Sequence, residues 1–248
     1  MINRYLKQAF YSATRACLAI YISTFAVSAI AEAPLSSYEA VYATRLSGAS
    51  IEITRTLHTT NNQYELNLSA SAMLVGFKET SVFEVSDQHI KPLNYIYQGT
   101  GLNRRKSNND FNWPEGTVSS FYKDNWYQLD IQPGVYDRIS WHEQMRLSLL
   151  SGSPPDNQQF NIISGKRIKT YQIEYVGEET LNTALGTLNA LHYTRTRSNS
   201  EQEFHIWLAK DWDYLLLKIV QMDAYNETSE VSLKSARLDG QVVTGLPQ

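Results

Sequence analysis

Tyr64-Glu65-Leu66-Asn67-Leu68-Ser69-Ala70-Ser71-Ala72 decides the fold class of this chain. Tyr64, Leu66, Leu68, Ala70 and Ala72 take every second position, with Glu65, Asn67 and Ser69 between them. Successive side chains of a strand point to opposite faces, so the pattern predicts a strand with one buried and one wet face. The period continues on both sides. Tyr38, Ala40 and Tyr42 share one face of a first strand, and Ile51, Ile53 and Leu57 one face of the next. Phe83 and Val85 follow, then Leu93, Tyr95 and Tyr97. Turn formers punctuate the runs at Ser47-Gly48, Asn61-Asn62, Asp87-Gln88 and Gly99-Thr100-Gly101.

One segment breaks this period. Pro133-Gly134 stops the strand pattern, and Ile139, His142, Met145 and Leu149 then recur at three- and four-residue steps. That spacing predicts one main helix over Tyr136–Leu150, with Asp137 in its first turn and Gly152 and Pro154-Pro155 ending it. Strands resume near Gln159. Tyr171, Ile173 and Tyr175 alternate, with a turn at Gly177. Thr180–Ala184 and Gly186–Arg195 form a hairpin about Leu185-Gly186. Phe204, Ile206 and Leu208 share a face, Asp211-Trp212-Asp213 turns, and Leu215, Leu217 and Ile219 share the next. A last strand runs from Glu230 to Leu238, and residues 241–248 read as a tail. An antiparallel sheet of about ten strands twists and curls rather than staying flat. The expected fold is therefore mainly β: a large curved antiparallel sheet or half-open barrel with one helix packed on it. Its concave side is a natural pocket for an apolar ligand.

The first 31 residues stand apart. Arg4, Lys7 and Arg15 make a basic start without an acid. An apolar run from Ala16 to Ile30 follows, closing on Ala29-Ile30-Ala31. This reads as a secretory signal peptide cut after Ala31, because the run is shorter than the roughly 20 residues that span a bilayer. Cys17, the single cysteine, precedes the apolar run and so does not suit lipid attachment. The expected location is the periplasm, with one β-rich domain over residues 32–240 and no membrane-spanning segment in the mature chain. A chain without thiols has no disulfides and must rely on its core. Cleavage removes three of the 22 basic residues and none of the 25 acidic ones, leaving a net charge of −6. That balance argues against a nucleic-acid partner. Sixteen tyrosines and five tryptophans favour strands and half-wet surfaces.

Three blocks carry a family resemblance. Pro133-Gly134-Val135-Tyr136-Asp137-Arg138-Ile139-Ser140 is similar to a PPG-x-x-DRLS stretch. Tyr175-Val176-Gly177-Glu178-Glu179-Thr180-Leu181 and Thr183-Ala184-Leu185-Gly186-Thr187-Leu188 resemble a VGEETL-x-TPLG-x-L hairpin, with Ala184 in place of proline. Ile206-Trp207-Leu208-Ala209 and Asp213-Tyr214-Leu215-Leu216-Leu217-Lys218-Ile219 resemble a WLAPE-x-DYLPVRI block, with Lys210 and Leu216 where prolines are usual. In this order they resemble the domain-of-unknown-function family 3108. The resemblance implies an exported β-rich protein and brings no catalytic residue with it.

Candidate chemistry is sparse. His142-Glu143 begins like a zinc-binding H-E-x-x-H helix, but Arg146 stands where the second histidine belongs. His192 and His205 could face each other across neighbouring strands, with no third ligand nearby in sequence. No G-x-S-x-G elbow, phosphate loop or dinucleotide fingerprint occurs. No catalytic residue, metal or cofactor is therefore assigned. Asp137 and Arg138 read as a local ion pair at the helix start. The candidate ligand contacts are the apolar stretch Met73, Leu74, Val75 and Phe77, read as a loop that forms a lip or folds onto the core, and the basic run Arg104, Arg105 and Lys106, suited to phosphate headgroups or to guarding an edge strand. The resulting expectation is a periplasmic binding or carrier module for an apolar or amphipathic ligand such as a lipid. The alternative is an envelope protein-interaction module, and less favoured again is an enzyme of unfamiliar type.

Overall fold

The computed structural model describes residues 34–46, 49–72, 74–198, 200–223 and 228–246. The expected signal segment, the Ser47-Gly48 turn and Met73 lie outside the described residues. The first half of the domain is a run of strands: β1 (Tyr38–Leu46), β2 (Ala49–Thr60), β3 (Gln63–Ala72), β4 (Val75–Ser86), β5 (His89–Gly101), β6 (Lys106–Asn112), β7 (Thr117–Tyr122) and β8 (Asn125–Asp130). The short β9 (Val135–Tyr136) leads to the helix α1 (Trp141–Leu150). The second half holds β10 (Gln158–Ile163), β11 (Ile168–Thr183), β12 (Gly186–Thr196), β13 (Glu203–Ala209), β14 (Leu215–Met222), β15 (Thr228–Leu238) and β16 (Gln241–Val242).

All of these strands belong to one sheet, ordered β8-β7-β6-β5-β4-β3-β2-β1-β15-β14-β13-β12-β11-β10-β9, with β16 added on β15. Two meanders are thus sewn together along the antiparallel β1–β15 ladder, and only β9–β10 is parallel. Tight hairpins build the first meander. Asn61-Asn62, Asp87-Gln88 and Lys123-Asp124 each place both loop residues at positive φ, the conformation that matches a two-residue turn to the strand twist.

The sheet curls until its ends approach. Ser120 Oγ on β7 donates to the Gly165 carbonyl between β10 and β11 at 2.8 Å. Val118, Ile131, Val135 and Ile163 pack together there as a small second core. Side-chain packing closes this seam. The main core lies on the concave face and includes Leu57, Leu66, Phe83, Ile90, Tyr193, Ile206 and Leu217, with α1 inserted against it.

Several expectations change on contact with the structure. Three strands between Lys106 and Asp130, rich in Ser and Asn, carry too little apolar alternation to be seen beforehand. Gly177 is not a turn but a bulge inside the 16-residue β11. Gly99-Thr100-Gly101 continues β5. A bulge between Val82 and Phe83 lets Ile90 and Pro92 be buried as well as Tyr95. The helix starts at Trp141 rather than Tyr136, because Val135 and Tyr136 pair with β10 and residues 138–140 form a turn. The expected tail is pinned over residues 241–246. Val243 is fully buried, and Leu246 and Thr187 exchange two backbone hydrogen bonds of 2.9 Å. Gly186 permits this, since a Cβ there would lie 2.6 Å from the Leu246 carbonyl oxygen.

The helix is buried on nearly every side, including Glu143, Gln144 and Arg146. Glu143 Oε1 accepts from Tyr38 Oη at 2.7 Å and from Arg55 at 2.8 Å, and Oε2 accepts from Arg146 at 2.7 Å. Arg146 also donates to the Asp213 carbonyl. Gln144 accepts from the Ile90 N–H and donates to the Gln88 carbonyl, tying the helix to the β4–β5 turn. Glu143 between the two guanidinium groups offsets part of the cost of burying them under the curled sheet.

Candidate functional site

The concave face and the N-terminal end of α1 enclose a cavity of about 570 Å³. Alternation along the strands fixes what faces it. Glu79 on β4, Tyr95 and Tyr97 on β5, and Phe204 and Ile206 on β13 line it. Tyr122, Ile162, Tyr171 and Gln221 come from the other strands, and Ile139, Trp141 and His142 from the helix start. The walls therefore mix aromatic and aliphatic side chains with polar and charged ones in about equal number.

Their charge is not balanced. Among the described residues, Arg55, Arg105, Lys106, Arg138 and Arg195 line the cavity against one carboxylate, Glu79. Arg55 pairs with Glu143 behind it, a carboxylate it shares with Arg146. Arg105 and Lys106 are exposed and Arg138 is largely so, which puts them where the cavity meets solvent. Glu79 is almost fully buried and accepts from Tyr95 Oη at 2.8 Å, with Arg138 at 3.6 Å. Burial raises its carboxyl above the ordinary range, against the pull of Arg138 and Tyr95. Arg195 is different. The rings of Trp141, Tyr171 and Phe204 lie 4.8, 4.5 and 4.0 Å from its guanidinium. Its Nε is buried without a hydrogen-bond partner among the described residues, as is Asn109 Oδ1 on the same cavity.

The expected Asp137–Arg138 ion pair does not form. Asp137 Oδ1 accepts the N–H groups of Ile139 and Ser140, both at 2.9 Å, and Oδ2 accepts from Ser81 Oγ at 2.6 Å. Asp137 is thus a buried bracket between the helix start and β4, while Arg138 turns to Glu79 and the Tyr97 ring. The His142 ring lies tilted against that of Trp141, 3.7 Å between centroids, and faces the cavity. Burial, with Arg55 and Arg195 adding to it, holds its pKa well below the ordinary 6.5. A histidine kept neutral in the fold loses stability to the unfolded chain as pH falls below about 6.5, by about 1.4 kcal/mol per pH unit until its own folded pKa is reached. Asp137 and Glu79, raised by burial, act with the opposite sign. The His142→Gln variant should therefore lose less stability than the wild type between pH 6.5 and 5 in urea unfolding. Parallel slopes for the two proteins would refute the assignment.

Within the apolar stretch, Val75 and Phe77 belong to β4, with Val75 paired to Ala72 of β3. Leu74 is 68% exposed at the tip, beside Leu102 at 71%. The Leu102 N–H donates to the Leu74 carbonyl, an approach that a side chain at Gly101 would block. Phe77 stacks on Tyr97 at 6.0 Å, one ring behind the cavity wall, and Leu74, Val75 and Phe77 do not themselves line the cavity. Phe77 pairs with Gly99, whose N–H donates to the Arg105 carbonyl. The hairpin tip and the basic run thus share one rim. Arg104 is exposed and off the lining.

Sequence reasoning missed Arg195, though Leu191, Tyr193 and Arg195 continue one alternating face, and an arginine ending an inward run is a visible signal. His192 and His205 do meet, with Nε2 and Nδ1 2.9 Å apart and Glu179 and Glu203 on their far sides. This cluster lies on the outer face, beside Trp207. Among the described residues no three His, Cys, Asp or Glu side chains are arranged to hold a metal ion. No helix among them is long and apolar enough to cross a membrane.

Comparison with solved structures places the fold among barrel-like proteins. A β-barrel-like protein of the domain of unknown function DUF1849 from Brucella abortus superposes with a TM-score of 0.57 at 8% identity, over 82% of this chain and 98% of that one. The crystal structure of MucB matches with a TM-score of 0.34 at 11% identity, over 87% of this chain and 56% of that one. No curated protein matches. The family described as "Protein of unknown function (DUF3108)" matches residues 37–233, a span that takes in all three sequence blocks, and the chain belongs to that family.

Proposed function

We propose that this protein is an exported, non-catalytic binding or carrier module of the periplasm that holds an amphipathic ligand, such as a lipid, in its cavity. The observation that carries the reading is the cavity itself. At about 570 Å³ it falls within the roughly 300–1,000 Å³ of small-molecule sites, and its walls combine aromatic and aliphatic side chains with a polar, mainly cationic set, as an amphiphile requires. The basic Arg105, Lys106 and Arg138 near solvent, with Leu74 and Leu102 exposed on the same side, suit a rim where an amphiphile enters. The amino-terminal segment with its Ala29-Ile30-Ala31 pattern supports export.

Native mass spectrometry of residues 32–248 purified from a periplasm, followed by organic extraction, tests the reading. A reproducible lipid adduct is the expected result, reduced in Leu74→Asp if the hairpin tip takes part. A clean apo mass after gentle purification and lipid challenge would turn the reading to protein interaction. One observation favours that second reading. Ile96 and Trp126 are 45% and 58% exposed and form, with Phe121, an apolar groove beside the edge strand β8. Crosslinking in intact cells through position 126 would capture a partner there.

A further inference from the structure

We propose that Arg195 is the seat for an anionic group, a carboxylate or phosphate, carried by the cavity's ligand. The inference rests on the amphiphile reading above and names the chemistry of the head. Three features carry it. Arg195 lines the cavity among aromatic rings, whose faces stabilise its charge and fix the plane of the guanidinium. Rings offer no acceptor for its five N–H donors, and Nε is buried with none among the described residues. Its charge has no anionic partner there among the described residues: burial brings the pKa of Arg195 down to about 10, with Tyr171 opposing the shift and Arg138 adding to it.

These facts separate an anion from other contents. Water could accept the hydrogen bonds but would leave the guanidinium of Arg195 without a counter-charge in its ring-lined setting. A neutral head would do the same. A carboxylate or phosphate accepts from the planar fork through two oxygens and cancels the charge at once. The single lining carboxylate, Glu79, is taken up by Tyr95 and Arg138. Asn109, whose Oδ1 is also unsatisfied, lines the same space and suits a donor on the head, such as a phosphate hydroxyl. Ile162 and Ile206 offer apolar wall for the chain behind it.

Isothermal titration of the delipidated mature protein with dodecanoate, dodecyl phosphate, dodecanol and inorganic phosphate tests this. The wild type should bind the two anionic amphiphiles at least ten-fold more tightly than dodecanol. Arg195→Gln should weaken them by about 10- to 100-fold while leaving dodecanol affinity unchanged. Arg195→Lys keeps the charge without the fork and should fall between the two. It also serves as the variant to read if Arg195→Gln does not fold, judged by its thermal transition. Equal affinity of wild type and both variants for anionic and neutral chains would overturn the anion seat and leave the amphiphile reading standing. Inorganic phosphate binding that depends on Arg195, with no amphiphile bound, would keep the seat and overturn the amphiphile reading, identifying a free anion as the ligand. No binding by any probe would overturn both.

Discussion

Replacing Glu143 by alanine is expected to destabilise the fold by about 3–5 kcal/mol, because it leaves two buried cations without their shared anion. Arg55 and Arg146 are only 4% and 2% exposed, and both converge on this carboxylate. A loss of that size is a large part of the roughly 5–15 kcal/mol that holds a domain together. Burial opposes ionisation of Glu143, but Arg146 and Arg55 prevail and its carboxyl is held below the ordinary range. Its contribution is therefore complete above the unfolded-chain value near 4.3 and is lost as pH falls through the lower folded value. Glu143→Gln keeps an acceptor for Tyr38 and should cost less than alanine. Replacing all three charged residues by apolar ones of similar volume should recover much of the loss, since a buried ion network also bears a desolvation cost. Urea unfolding reads each variant. A Glu143→Ala loss below about 1 kcal/mol would mean that water reaches the network and the charges are screened.

Asp137→Ala should cost about 3 kcal/mol, with Asp137→Asn close to wild type. Alanine strips the acceptor from the Ile139 and Ser140 N–H groups and removes the bond from Ser81, all in a fully buried setting. Asparagine keeps a carbonyl oxygen for the two N–H groups, and its amide can donate to Ser81 Oγ. It also removes a carboxylate whose ionisation burial disfavours. The ordering separates bracket from charge. If asparagine costs as much as alanine, the negative charge rather than the acceptor geometry holds the helix start. Because Ile139, Trp141 and His142 line the cavity just beyond this bracket, the alanine variant should also weaken ligand binding.

The legible part of the fold was what local periodicity encodes. Tyr64–Ala72 alternates so strictly that its strand and buried face follow from spacing alone, and Asn61-Asn62 and Asp87-Gln88 announce hairpin turns by their tolerance of positive φ. Strands β6 to β8 were illegible because Ser107, Asn109 and Ser120 face inward, where an apolar residue would normally mark the inner side. They face a cavity and a seam rather than a packed core, so the pattern that reports burial is missing there. The helix was readable as a helix, but its start was not, because whether Val135 and Tyr136 turn or pair depends on β10, more than 20 residues further on.

The candidate site divides in the same way. Arg105 and Lys106 stood out as a charge run and do reach the cavity. Arg195 shared the inward face of Leu191 and Tyr193, a signal that was passed over, but the rings around it are visible only in space. Sequence by itself determined the β-rich class, the helix before the second run of strands and the family, since these depend on period, turn chemistry and ordered blocks. Only the tertiary structure decided which charges face one another. Glu143 meets Arg55 across 88 positions of chain, and Arg195 meets Trp141 across 54, contacts set by the curl of the sheet around the helix rather than by any spacing a linear pattern can carry.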